Sequence, residues 1–203
     1  MKDKLLIELQ FLGSIAYYKK LLAYPEVIFE AKENFVRASY RNRCEICGPN
    51  GKAILTVQVS GGRTKRKYEN VKIAYEHNWN AIHWHTLESN YRSSPYFEYY
   101  EDHFQPFFTK EYENLFEFNV ELFKLINKLL NLNIKYSFTE KFNRNVDENT
   151  EDLRGFFMPN KPVENFEVKE YIQVFGTKQG FFPNLSILDL LFCEGPNAIS
   201  YLK

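Results

Sequence analysis

The sequence predicts an α/β domain, with a small mixed and partly parallel sheet, a projecting β-hairpin and a layer of helices; α+β is the alternative class. Three observations carry this reading. Strand, helix and strand signals follow one another within the first thirty residues. The dipeptide Asn50-Gly51 separates two further strand-like runs. Leu115, Phe118, Leu122, Leu125, Ile126 and Leu129 then make an apolar stripe at helical spacing, which reads as core.

The elements follow in order. Leu5 to Leu9 is a short apolar run typical of a buried strand. Gly13-Ser14 breaks it, and Ser14 is placed to cap a helix carrying Ile15, Tyr18, Leu21 and Leu22. Tyr24-Pro25 stops that helix before Val27-Ile-Phe29, a second strand, and the βαβ order implies a parallel pair with a right-handed crossover. Cys44 to Ile46 and Ala53 to Val59 form the hairpin, whose turn is expected to need positive φ at Asn50 and Gly51. Gly61 to Lys67 is a basic loop, read as a mobile surface segment or a phosphate-attracting flap. Residues 78 to 131 read as helical, with Asn78 as one cap and Ser94-Pro95 restarting the helix. A third strand is expected at Asn133 to Phe138 and a long loop at Asn143 to Asn165. A last strand is expected at Glu170 to Phe175, and a helix from Ser186 broken at Gly195-Pro196.

Composition narrows the function classes. At 203 residues one domain spanning 1–203 is expected, and folding at this size hides roughly 70% of the extended surface. Aromatic residues make up 17%, with 19 Phe and 14 Tyr, so many hydroxyls need partners inside the fold or in a concave site. The 26 basic residues balance 26 acidic ones, which argues against nucleic acid, whose phosphates reward a basic excess. No run is long enough for a signal peptide or a membrane span, so a cytoplasmic protein is expected. Three cysteines suit a reducing compartment. Cys44 and Cys47 lie in a strand, where positions three apart face opposite ways; they read as thiols beside a sheet, with a redox or zinc role as the alternative.

The residues that could carry chemistry are few. His83 and His85 project about 200° apart on a helix and cannot share a metal, and no nucleotide, zinc-protease or hydrolase signature is present. No metal or cofactor is expected. Arg41 and Arg43 are two residues apart in an extended segment, suited to a carboxylate or phosphate, or else to salt bridges at an exposed strand end. Glu88 and Arg92 have the spacing of a helix-stabilising pair. His83 is either a hydrogen-bonded structural group or a general base acting near neutrality.

Five ordered segments carry a family likeness: Tyr40-Arg-Asn-Arg43; His83-Trp84 leading to Leu87-Glu-Ser-Asn-Tyr91; Ser94-Pro-Tyr-Phe-Glu-Tyr-Tyr100; Tyr171-Ile-Gln-Val-Phe175; and Gly180 to Phe192 followed by Glu194-Gly-Pro196. Together they resemble the WbqC-like family of bacterial O-antigen and polysaccharide gene clusters. The resemblance implies a transferase, possible aminoacyl (glycine) transfer to a sugar, or else a non-catalytic binding or scaffold protein of the same pathway. It implies His83 and Glu88 as catalytic residues. It also implies Gln10, Tyr17, Tyr40, Arg41, Asn42, Arg43, Trp84, Tyr91 and Asn184 as contacts to a small-molecule or sugar-linked substrate, in a chain able to form a homo-oligomer. Two departures stand out: Glu8 to Gly13 replaces a proline-bearing His-Gln-Pro stretch, and Gln179 replaces a histidine. Both are expected to fall where a strand end opens toward a site, as in α/β sheets.

Overall fold

The computed structural model describes residues 2–62, 64–159, 161–163 and 166–203. The βαβ reading holds: β1 (Lys4–Glu8), α1 (Ile15–Leu22) and β2 (Glu26–Glu30) form a parallel unit with Leu5 opposite Val27 and Glu8 opposite Glu30. Ser14 caps α1, its hydroxyl accepting from the Tyr17 amide. A strand β5 (Tyr136–Phe138) adds to β2, also parallel. Leu5, Ile7, Val27 and Phe29 are fully buried on one face. There Phe29 meets Phe123 edge-on at 4.9 Å, on the helix that carries the predicted stripe, α4 (Leu115–Leu129).

The hairpin is β3 (Arg43–Gly48) against β4 (Gly51–Thr56). Its turn sits one residue earlier than expected. Gly48 pairs with Gly51, so Pro49 and Asn50 make the connection, and the positive φ (112°) falls on Gly51 and not on Asn50. Proline holds φ near −65° and excludes the primed turn. The helical region resolves into α2 (Trp79–Tyr91), α3 (Phe97–Thr109) and α4. Asn78 does precede α2, but in the left-handed region and without a side-chain bond to the helix. Ser94 does not cap α3; its hydroxyl closes the end of α2 on the Tyr91 carbonyl at 2.6 Å.

Two further expectations are corrected. Inside the expected loop, β6 (Thr150–Asp152) pairs in parallel with β1. Three polar residues give no periodicity, and the open edge of β1 supplies the partner. No strand forms over Glu170 to Phe175. Its Tyr171 hydroxyl and Gln173 amide instead donate to buried Asp189, at 2.7 and 3.0 Å, so side chains take the place of a ladder. Asp189 lies on α6 (Ile187–Glu194), which follows the short α5 (Gly176–Gln179) and precedes α7 (Ile199–Leu202). The start of α6 is fastened to the β1–α1 turn: Ser186 Oγ donates to the Leu12 carbonyl at 2.7 Å, and the Ile187 amide donates to Gly13 at 2.9 Å. Among the described residues no helix is long and apolar enough to cross a membrane.

The sheet order β5-β2-β1-β6 places β1 between β2 and β6. The chain leaves β1 toward β2 on one side and β6 fills the other, so the carboxyl ends of β1 and β6 define the crevice where open α/β sheets bind ligands.

Gly195 ends α6 at φ 54°, and a Cβ there would lie 2.5 Å from the Tyr96 ring. Gly62 has nearly the same φ, 55°, with open space around it. Gly195→Ala should therefore cost about 1–3 kcal/mol more than Gly62→Ala in urea unfolding, because both pay the left-handed penalty and only one meets the ring.

Candidate functional site

At the end of β1 apolar residues give way to a buried polar network. Glu8 is fully buried; its Oε2 accepts the Gly155 amide at 2.8 Å and lies 3.8 Å from Arg41 Nη2. Arg41, with a side chain only 2% exposed, donates from Nε to Glu33 Oε1 at 2.9 Å, and its Nη2 meets the same oxygen. Burial works to lower the Arg41 pKa, but the Glu8 and Glu33 carboxylates more than offset it, so the guanidinium stays charged. Burial also raises the Glu33 carboxyl, against the pull of Arg41. One strand over, Glu30 Oε2 accepts from Arg154 Nη1 at 2.9 Å, while its Oε1 takes the Thr139 hydroxyl and the Lys32 amide. Arg154 also grips Asp152 of β6.

Two groups here lack partners. Glu8 Oε1 and both amide atoms of Gln10 are enclosed and meet no hydrogen-bonding atom among the described residues. Buried polar groups are nearly always paired, so three such atoms at one strand end stand out.

Of the nine expected substrate contacts, Gln10, Tyr17 and Arg41 meet at this strand end, and the other six lie elsewhere. The Tyr17 hydroxyl donates to the Glu8 carbonyl at 2.9 Å. The Phe11 amide donates to the Tyr40 carbonyl at 2.8 Å. Asn42 extends the hairpin, exchanging backbone and side-chain bonds with Val57. Arg41 and Arg43 do not form a paired grip: Arg41 is taken up by Glu33 and Glu8, whereas Arg43 sits opposite Thr56 with its Nε enclosed and without a partner among the described residues. Tyr40 turns the other way from Arg41. Its hydroxyl donates to Glu45 (3.2 Å), which also holds Lys52, in a cleft of about 490 Å³ bordered by Ile54, Phe166 and Asn184. Asn184 also accepts the Ala16 amide at 2.9 Å, fixing the first turn of α1.

The residues on α2 lie elsewhere. His83 Nε2 accepts the Thr56 amide at 3.2 Å while Nδ1 is enclosed without a partner among the described residues, and the ring packs on Trp79. Burial lowers the His83 pKa to about 4, so the imidazole is neutral. Glu88 faces outward between His85 and Arg92, at 3.2 and 3.1 Å. His83 and Glu88 are thus not brought together. Trp84 is packed between Phe97 and Phe108. Tyr91 is wholly buried, donating to Asp189 at 2.7 Å and accepting the Cys47 amide. Cys44, Cys47 and Cys193 are free and buried, and burial pushes the Cys44 thiol up. Among the described residues no group of three or more His, Cys, Asp or Glu is placed to hold a metal. Gln179 donates to the Pro49 carbonyl, tying α5 to the hairpin turn.

The sequence reading passed over Glu8 as a ligand, and Glu30, Glu33 and Arg154 altogether. A signal was present: each of the two apolar runs ends in glutamate, and a parallel pair in register sets those glutamates side by side.

His83 makes stability depend on pH with a definite sign. Between about 6.5, the ordinary histidine value, and about 4, the unfolded chain binds a proton that the folded chain refuses. Stability should fall as pH drops through that window, by up to about 3 kcal/mol from this group. Urea unfolding of the wild type and of His83→Gln at pH 7 and pH 4.5 should show a smaller loss in the variant.

Comparison with known proteins covers the first three of the five ordered segments with a family model. The chain is similar to the "Uncharacterized protein Rv1507c" of Mycobacterium tuberculosis, 26% identical over 232 aligned residues that cover 100% of this chain and 98% of the relative. No solved structure matches it. The WbqC-like protein family matches residues 10–158, a span from Gln10 through Arg41 and His83 to Gly155. The chain therefore belongs to the WbqC-like protein family.

Proposed function

We propose that this protein is a transferase of polysaccharide biosynthesis, acting in the cytoplasm on a sugar-linked acceptor, with an aminoacyl (glycyl) group as the cargo. The observation that carries the reading is the set of unpartnered buried atoms, Glu8 Oε1 and the Gln10 amide, at the switch point of the sheet. Acyl transfer needs a base for the attacking group and donors for the oxyanion. The acceptor's amine or hydroxyl attacks the acyl carbon, the bond to the leaving group breaks, and the attacking atom's proton must be taken away. Glu8 takes the proton-accepting role that the sequence suggests for His83, because Glu8 Oε1 has no partner among the described residues while His83 Nε2 already accepts the Thr56 amide. Gln10 Nε2 is the donor for the oxyanion. The cleft at Tyr40 and Asn184, which backs onto Arg41 across one peptide, suits the sugar.

A second reading, a non-catalytic binding or scaffold protein of the same pathway, draws support from the full burial of Glu8 and near-full burial of Gln10. One experiment separates the two. The purified chain is incubated with activated aminoacyl donors and a panel of nucleotide-sugars, and the products are weighed by mass spectrometry. The expected outcome is a sugar heavier by one aminoacyl residue, with the yield reduced at least about 100-fold in Glu8→Gln. Ligand-induced stabilisation without any mass gain would favour the binding protein.

A further inference from the structure

Carboxylates at the end of the sheet outnumber the cations that meet them. Glu8, Glu30 and Glu33 share two guanidinium groups, Arg41 and Arg154, and Arg154 also holds Asp152. Glu8 and Glu30 are fully buried, where charge without a counter-charge is costly. The second observation is independent of that balance. Gln10 is 3% exposed, and neither its oxygen nor its nitrogen has a partner among the described residues.

The backbone sets these side chains on one face. The Glu8 carbonyl accepts the Tyr17 hydroxyl at 2.9 Å. The Leu9 carbonyl and the Phe11 amide point away from it, to the Tyr68 hydroxyl and the Tyr40 carbonyl. Such alternation is that of an extended chain, in which residues two apart share a face. Glu8 Oε1 and Gln10 Oε1 are therefore two neighbouring acceptors in a region of excess negative charge, with Gln10 Nε2 as a donor beside them.

We propose that Glu8 and Gln10 recognise a primary ammonium group. An ammonium offers three N–H donors and a positive charge, which matches one carboxylate and one amide oxygen. Gln10 Nε2 then serves the carbonyl or hydroxyl oxygen that sits next to the amine. The inference rests on the transferase reading for its substrates: the amine is that of an amino sugar, which yields its proton to Glu8 before it attacks, or that of the amino acid, in which case Glu8 holds the donor and is not the base. The Gly155 amide on Glu8 and Phe157, edge-on to Tyr17 at 5.7 Å, cover this strand end.

Saturation-transfer NMR of the full chain at pH 7 tests this with four probes: glycinamide, N-acetylglycinamide, glucosamine and N-acetylglucosamine. The expected result is binding of glycinamide or glucosamine, whichever carries the recognised amine, at least about tenfold tighter than its N-acetyl form. Glu8→Gln should remove that preference. Should Glu8→Gln fail to fold, Gln10→Leu, which keeps the charge balance, should weaken the same amine by a similar factor. Equal binding of charged and acetylated forms, or binding of neither amine, overturns the proposal. Ammonium binding without transfer of any acyl group would sink the transferase reading alone; transfer to acceptors regardless of amine charge would sink this inference alone.

Discussion

The enclosed Arg41 is the constraint on which the arrangement depends. A guanidinium only 2% exposed is tolerable only if carboxylates come to it, and they come from two different segments: Glu8 from the end of β1 and Glu33 from the connection after β2. Arg41 itself leads into the hairpin. One ion cluster thus joins the sheet, the crossover exit and the hairpin, and the Tyr68 hydroxyl and Asn119 amide close the underside through the Arg41 carbonyl. Breaking a buried pair by removing one partner is severe, because the other charge is left without water or counter-ion.

Two other buried acids repeat the pattern with different consequences. Glu30 is saturated by Arg154, Thr139 and the Lys32 amide, and it anchors the segment that follows β6. Asp189 is held by two tyrosine hydroxyls and a glutamine amide, which dock α6 against α2 and the stretch around Tyr171. Both are satisfied and read as structural. Glu8 differs from them in keeping one oxygen without a partner among the described residues, next to a glutamine with none. That contrast is why the proposed ligand position lies at the end of β1 and not at the other acids.

The elements with regular periodicity were legible in the sequence. The βαβ unit, the hairpin, the Ser14 cap and the α4 stripe each follow from local chemistry. The short β6 was not, since Thr150–Asp152 owes its state to the open edge of β1 and not to its own residues. Nor was the irregular course around Tyr171, where apolar alternation suggested a strand and long-range bonds to Asp189 decided otherwise. At the site, the departure at Glu8 to Gly13 drew attention to the end of β1, and Arg41 stood out by its neighbour Arg43. What could not be read was which acids would meet Arg41: Glu33 is close in sequence, but Glu8 arrives only through the sheet. His83 looked like a base because nothing local reveals that the Thr56 amide takes up its ring nitrogen.

The most direct measurement of the central claim is urea unfolding of Arg41→Met, alone and combined with Glu8→Gln and Glu33→Gln. Arg41→Met should lose about 3–5 kcal/mol, and neutralising the two carboxylates in the same chain should restore a large part of it, because the cost lies in the stranded charges. Stability within about 0.5 kcal/mol of the wild type for Arg41→Met, or no recovery in the triple variant, would show that the cluster does not hold the sheet end together.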